Sequence, residues 1–215
     1  MRLRHYYHVY AAGAWALPVR EHIAALGRAG FPGEMIVGLT GPEQDRARAR
    51  EMIVLRMRGW DLPEPAGWEQ ADDGFEQVTL ARLRADLHQG TDDAAVLYAH
   101  TKGARDNSDW NADWRRSMTR HVVGRWRECV QLLASGYDTA GCHWLTREEH
   151  HDPPDRVVTV PFYGGNFWWA TARYLRTLPE PLTDYRHRAE EWLGTGSPKA
   201  YDLLPGWPVP ELLNR

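Results

Sequence analysis

Ala94-Ala95-Val96-Leu97-Tyr98-Ala99-His100-Thr101-Lys102-Gly103 is an apolar run that stops abruptly in His-Thr-Lys-Gly. A short apolar run bounded by a polar loop predicts a strand buried on both faces, the kind that builds parallel sheets. In open α/β sheets, ligands sit beyond the carboxyl ends of such strands. The end of this run is therefore the first place to look for a site. Lys102 also stands out by composition. Among 26 lysines and arginines, only Lys102 and Lys199 are lysine. A compact ammonium on a flexible stem suits a phosphate or a leaving-group oxygen.

The flanking sequence predicts the rest of an α/β fold. His5 to Ala12, rich in aromatic and β-branched residues, predicts a first strand ended by Gly13. Trp15, Val19, Ile23 and Leu26 recur at helical spacing, and Gly30 closes that helix. Glu34 to Thr40 predicts a second strand, so the order is that of a parallel βαβ unit. Pro42 to Arg50 is polar and helical, and Met52 to Met57 fits either a strand or a helix end. Gly59, Pro63, Pro65, Gly67 and Gly74 mark 59–75 as a loop. Phe75 to His88 carries a helical stripe, and a second, longer stripe runs from Trp110 to Leu133 with Ser108 as N-cap and Gly136 as stop. Tyr137 to Leu145 and Val157 to Phe162 predict two more strands, with a surface loop at His150 to Asp155 between them. Phe167 to Leu178 and Tyr185 to Leu193 predict helices, and the proline-rich tail is extended. With no repeat or linker, the expectation is a single domain over residues 1–215, with a mostly parallel central sheet flanked by helices.

Bulk properties narrow the functional classes. A net charge of −3 argues against affinity that rests on an overall basic nucleic-acid footprint. Arg115, Arg116, Arg120, Arg125 and Arg127 nevertheless form a local cationic cluster. Cys129 and Cys142 lie in apolar settings and are expected as buried thiols. No apolar stretch follows Met1-Arg2-Leu3-Arg4, and no run approaches the ~18 residues of a membrane span, so a soluble, cytoplasmic protein is expected. The chain has no P-loop, no Gly-x-Gly-x-x-Gly after its first strand and no Gly-x-Ser-x-Gly elbow. Its ten histidines include no His-Glu-x-x-His, and His5 and His8 project to opposite faces of a strand, so a zinc site is not expected.

Two further segments can carry chemistry. In Tyr163-Gly164-Gly165-Asn166-Phe167-Trp168-Trp169-Ala170 the glycines permit close backbone approach, and Asn166 both donates and accepts. One of the two indoles is expected in the core and the other at a ligand. In Arg186-His187-Arg188-Ala189-Glu190-Glu191-Trp192, Arg186 and Glu190 are helical i,i+4 neighbours. A carboxylate there, near a sugar or phosphate site, can act as a general base.

Taken together, Tyr6 to Tyr10, Val96 to Gly103, Trp114-Arg115, Tyr137 to Gly141, Gly165 to Ala170 and the Arg186-x-x-Ala189-Glu190-x-Trp192 pattern resemble a group of small bacterial and phage glycosyltransferase-like proteins, themselves similar to GT-A nucleotide-sugar transferases. The resemblance implies a GT-A-like, Rossmann-like α/β domain binding a nucleotide sugar, such as a UDP-sugar, at the carboxyl edge of the sheet. It implies donor binding by Tyr10, Ala11, His100, Thr101, Lys102, Gly103 and Arg115. Sugar or acceptor contacts fall to Gly164, Gly165, Asn166, Trp168, Trp169 and Arg186. The catalytic group is Glu190, oriented by Arg186 and with Glu191 as second candidate, together with Lys102 and His100. The chain departs from the common pattern in having no Asp-x-Asp. Lys102, His100 and arginines such as Arg105 and Arg115 then stand where a diphosphate-bound divalent metal usually does, so no metal is required, although Mn²⁺ or Mg²⁺ stays an option. The acceptor is a glycan, with a modified DNA base as runner-up. The alternative function is a catalytically inactive nucleotide-sugar or carbohydrate-binding module.

Overall fold

Arg2–Tyr10 forms β1, an inner strand of a seven-stranded sheet in a computed structural model that describes residues 1–105, 108–146, 160–183 and 187–205. A βαβ crossover through α1 (Ala16–Ala29) leads to β2 (Glu34–Thr40), and α2 (Glu43–Gly59) leads on to the edge strand β3 (Gly67–Ala71). Next, α3 (Gln77–Gln89) returns the chain to β4 (Ala94–His100) on the other side of β1. These four strands are parallel. The apolar run of β4 is buried from Ala94 to Ala99, as expected for a strand covered on both faces.

The second half is less regular. Helix α4 (Asp109–Met118) continues through a π-turn (Thr119–Val123) into α5 (Trp126–Ala134). Short strands β5 (Thr139–Gly141), β6 (Trp144–Leu145), β7 (Phe162–Tyr163), β8 (Trp168–Thr171) and β9 (Ala200–Asp202) follow, with α6 (Ala172–Leu175), α7 (Arg188–Glu191) and a 3₁₀ turn (Trp192–Gly196) among them. The sheet order is β3-β2-β1-β4-β8-β5-β9, with β8 antiparallel to both its neighbours, and β6 pairs with β7 separately. The fold class is thus the expected one, α/β with a mostly parallel central sheet flanked by helices. No helix among the described residues is long and apolar enough to cross a membrane.

Strand alternation divides the core in two. Tyr7, Val9, Val37, Leu39 and Leu97 face α1, α2 and α5, while Tyr6, Ile36, Val96 and Tyr98 face α3, α6 and α7. This decides the fate of the adjacent tryptophans. The helix expected from Phe167 is a strand over its first turn, so Trp168 and Trp169 point to opposite faces, and each fills one of the two cores. Both are fully buried, and their indole N–H groups donate to Asn166 Oδ1 (2.7 Å) and the Val122 carbonyl (2.8 Å).

Of the two alternatives for Met52 to Met57 the helix end holds, inside α2. Three other expectations are corrected. The expected 59–75 loop contains β3. The long stripe from Trp110 is broken at the π-turn, where the Gly124 N–H reaches back five residues to the Thr119 carbonyl (2.9 Å). The strand expected over Tyr137 to Leu145 is interrupted at His143, whose φ of +61° ends β pairing. The His150 to Asp155 loop, residues 157–159, Tyr185, Arg186, Pro208 and Pro210 lie outside the described residues.

Candidate active site

A cavity of about 290 Å³ opens at the carboxyl ends of β1 and β4. His8 and Tyr10 reach it from β1, and His100 to Arg105 from the end of β4. Phe75 and Glu76 come from the segment before α3, Asn111 from α4, and His187 and Glu190 from the region of α7. The β4 end is fastened to β1: the Thr101 N–H donates to the His8 carbonyl (3.0 Å), and Thr101 Oγ1 accepts from the Tyr10 N–H (2.9 Å). The Ala104 carbonyl then accepts from the Ala14 N–H (2.8 Å), so the loops after β1 and β4 form one unit. Gly13 makes that contact possible; its φ is +64°, and a Cβ would stand 2.5 Å from the Ala104 carbonyl oxygen.

Glu76 organises the floor. Its Oε2 accepts from the Tyr98 hydroxyl (3.0 Å) and from Asn166 Nδ2 (2.6 Å), and its Oε1 lies 3.3 Å from His100 Nδ1. His100 Nε2 donates to the Gly165 carbonyl at 2.9 Å. Both ring nitrogens of His100 thus lie against fixed oxygens, which hold the ring in place. Burial, reinforced by the Glu76 carboxylate, pushes the Tyr98 hydroxyl well above its ordinary pKa, so it donates throughout the neutral range. His8 sits beside this group with its Nδ1 2.8 Å from Thr79 Oγ1. Burial, then the neighbouring His100 ring, lowers the His8 pKa to about 3, leaving a neutral ring at the cavity wall.

Two cations stand on aromatic faces at the rim. Lys102 Nζ lies 4.2 Å from the Trp114 ring centroid. The Arg105 guanidinium lies 5.0 Å from the Tyr10 ring and 5.3 Å from that of Phe75. Such contacts orient a cation without neutralising it. Glu190 Oε1 is 3.5 Å from His187 Nδ1. The cavity therefore combines fixed positive charge for an anion, an aromatic edge for a planar group and a carboxylate that can accept a proton. Among the described residues, no group of three or more His, Cys, Asp or Glu is placed to hold a metal ion.

The structure brings Tyr10, His100, Thr101, Lys102, Gly103 and Glu190 together around this one cavity. Other nominated residues stand behind it. Arg115 is buried and braces the loop, donating from Nη1 to the Lys102 carbonyl (2.9 Å) and from Nε to Glu21 (2.8 Å). Ala11 is buried, with its N–H on the Thr40 carbonyl (2.7 Å). Gly164, Gly165 and Asn166 form a turn beneath the floor rather than a ligand contact. Gly165 (φ +85°) passes so close to Met118 that a Cβ would meet its sulfur at 2.6 Å. Trp168 and Trp169 are core residues, so neither stacks on a ligand ring, and Glu191 is buried with its Oε2 on Arg188 (3.0 Å). Arg186 lies outside the described residues, and the residue seen beside Glu190 is His187.

Sequence reasoning missed Glu76, Phe75 and His8 as cavity residues. A signal for the first two existed. Residues between a parallel strand and its following helix lie at the sheet's carboxyl edge, but β3 had to be recognised for Asp72 to Glu76 to be read that way.

The sequence pattern of a family described as a domain of unknown function, DUF8361, matches residues 6–203, from β1 to the end of β9. The chain belongs to that family. No curated protein sequence matches it. Among solved structures, S. aureus TarS 1-349 is similar over 90% of this chain at 13% identity, with a TM-score of 0.42. This chain spans about half of that structure, 54% of its length.

Proposed function

We propose that this protein is a glycosyltransferase that moves a sugar from a nucleotide-diphosphate donor to an acceptor hydroxyl of a glycan. The observation that carries this reading is the convergence on one cavity of Lys102, Arg105, Tyr10 and Glu190, at the carboxyl edge of a parallel sheet. Each supplies what the reaction needs. Tyr10 offers an aromatic face to the nucleoside. Lys102 and Arg105 meet the diphosphate and stabilise the negative charge that grows on it as the bond from the anomeric carbon breaks. Glu190 accepts the acceptor's hydroxyl proton as the new carbon–oxygen bond forms, the step an inverting displacement requires. The bond's electron pair leaves on the diphosphate oxygen. His100, Glu76 and the Gly165-Asn166 turn hold the floor in place.

With two cations at the diphosphate position and no Asp-x-Asp in the chain, the reaction proceeds without an added divalent metal. The test is turnover with a panel of nucleotide sugars and glycan acceptors in the presence of a chelator. Nucleoside diphosphate release and sugar transfer are expected from the wild type. Lys102→Ala is expected to lower the rate by about 10²–10³, the usual cost of losing one charge-stabilising group. Wild-type rates in that variant contradict the role of Lys102, and abolition by the chelator contradicts metal independence. Donor binding with neither release nor transfer identifies a binding module instead.

A further inference from the structure

A second cavity, of about 520 Å³, lies between α1 and the segment where α4 passes through the π-turn into α5. Ala25, Ala29 and Gly124 keep its floor open, and Arg28, Arg116, Arg120 and Arg125 surround it. Glu21 is the one carboxylate in its lining, and its Oε2 is already paired with Arg115 at 2.8 Å. Arg116 is held between Asp113 (2.6 Å) and Glu21 (3.6 Å), and Arg125 pairs with Glu128 (2.5 Å). Arg28 and Arg120 have no ion pair among the described residues, and Arg28 rests only against the Trp60 ring at 5.9 Å.

Two unpaired guanidinium groups held beside two others repel one another, and an anion between them relieves that repulsion. Guanidinium forks match the oxygens of a phosphate group and bind it through paired, charge-assisted hydrogen bonds. We propose that this cavity is an anion site that takes a phosphate group, separate from the cavity at the carboxyl edge of the sheet. The π-turn gives the site its shape: it breaks the helix between Arg116 and Arg125 and so brings three arginines of one segment around the same opening. The proposal does not rest on the transferase reading, because binding can be measured with no sugar donor present.

The experiment is calorimetric titration of the full chain with inorganic phosphate at constant ionic strength in chloride, with dimethyl phosphate as a parallel arm. Saturable binding to the wild type is expected, with about tenfold or greater weakening in Arg28→Ala/Arg120→Ala, given the strength of hydrogen bonds to charged groups. Arg48→Ala/Arg56→Ala, which removes the same charge from the exposed face of α2, away from both cavities, is expected to bind phosphate as the wild type does. Arg28 and Arg120 are exposed, so their double variant is expected to keep the wild-type melting temperature in chloride while losing the rise that phosphate gives the wild type. Tighter binding of inorganic phosphate points to a free or monoester phosphate, and equal or tighter binding of dimethyl phosphate to a diester. Absence of saturable binding, equal affinity in Arg28→Ala/Arg120→Ala, or an equal weakening in Arg48→Ala/Arg56→Ala overturns the proposal.

Discussion

Glu76 satisfies three groups at once, the Tyr98 hydroxyl, the Asn166 amide and His100. Replacing it with alanine removes both acceptor oxygens and leaves the buried Tyr98 hydroxyl without the group it donates to. Glu76→Ala is therefore expected to lose about 1–3 kcal/mol of stability by denaturant titration, the cost of an unsatisfied buried polar group. Unchanged stability contradicts the network. Trp168 makes the opposite kind of prediction. Its indole is fully buried and its N–H is bound to Asn166. Trp168→Phe is expected to cost roughly 1–3 kcal/mol through lost volume and one lost hydrogen bond. Donor affinity, read by calorimetry, stays near the wild-type value; a selective loss of affinity without loss of stability restores a ligand-contact role.

At the scale of elements, the candidate site depends on the joined loops after β1 and β4. Gly13→Ala places a methyl group against the Ala104 carbonyl at a positive φ. It is expected to destabilise by more than about 1 kcal/mol and to weaken donor binding as the Lys102 loop shifts. Wild-type affinity in that variant separates the two loops. The central strands and their carboxyl-edge loop were legible because burial on both faces leaves an uninterrupted apolar run, as in Ala94 to Ala99. Edge strand β3 was not, because Gly67 to Ala71 is only partly covered and carries no such run. Phe167 to Leu178 misled because a short buried strand and the helix after it form one apolar stretch, whose period does not reveal the join. Within the site, the strand-end residues followed from β4 alone. Glu76 follows only once β3 is recognised, because it lies in the segment between β3 and α3.

At the scale of the molecule, His5, His8, His22 and His143 are buried in the folded state, and the first three dominate its response to acid. His5 Nδ1–H donates to the Leu97 carbonyl (3.1 Å), which leaves its Nε2 to accept from His22 Nε2–H (2.7 Å), a pair held neutral. Burial lowers the pKa of His5 to about 4 and of His8 to about 3, and lowers that of His22 as well. The unfolded chain, with histidines near their ordinary value of about 6.5, takes up more protons than the folded one below that pH. Stability is therefore full above pH ~6.5 and falls as the pH drops toward the folded-state values, by about 1.4 kcal/mol per histidine per pH unit. Urea unfolding at pH 7 and pH 5.5 is expected to differ by roughly 4 kcal/mol for the three together, and equal stabilities contradict their neutral burial. The account's central claim concerns the cavity at the carboxyl edge of the sheet. Its most direct test is calorimetric titration of nucleotide sugars, with chelator present, into the wild type and Lys102→Ala. A nucleotide sugar that binds the wild type and binds the variant about tenfold or more weakly is the predicted result. Equal affinity in the two proteins, or no nucleotide-sugar binding to the wild type, contradicts it.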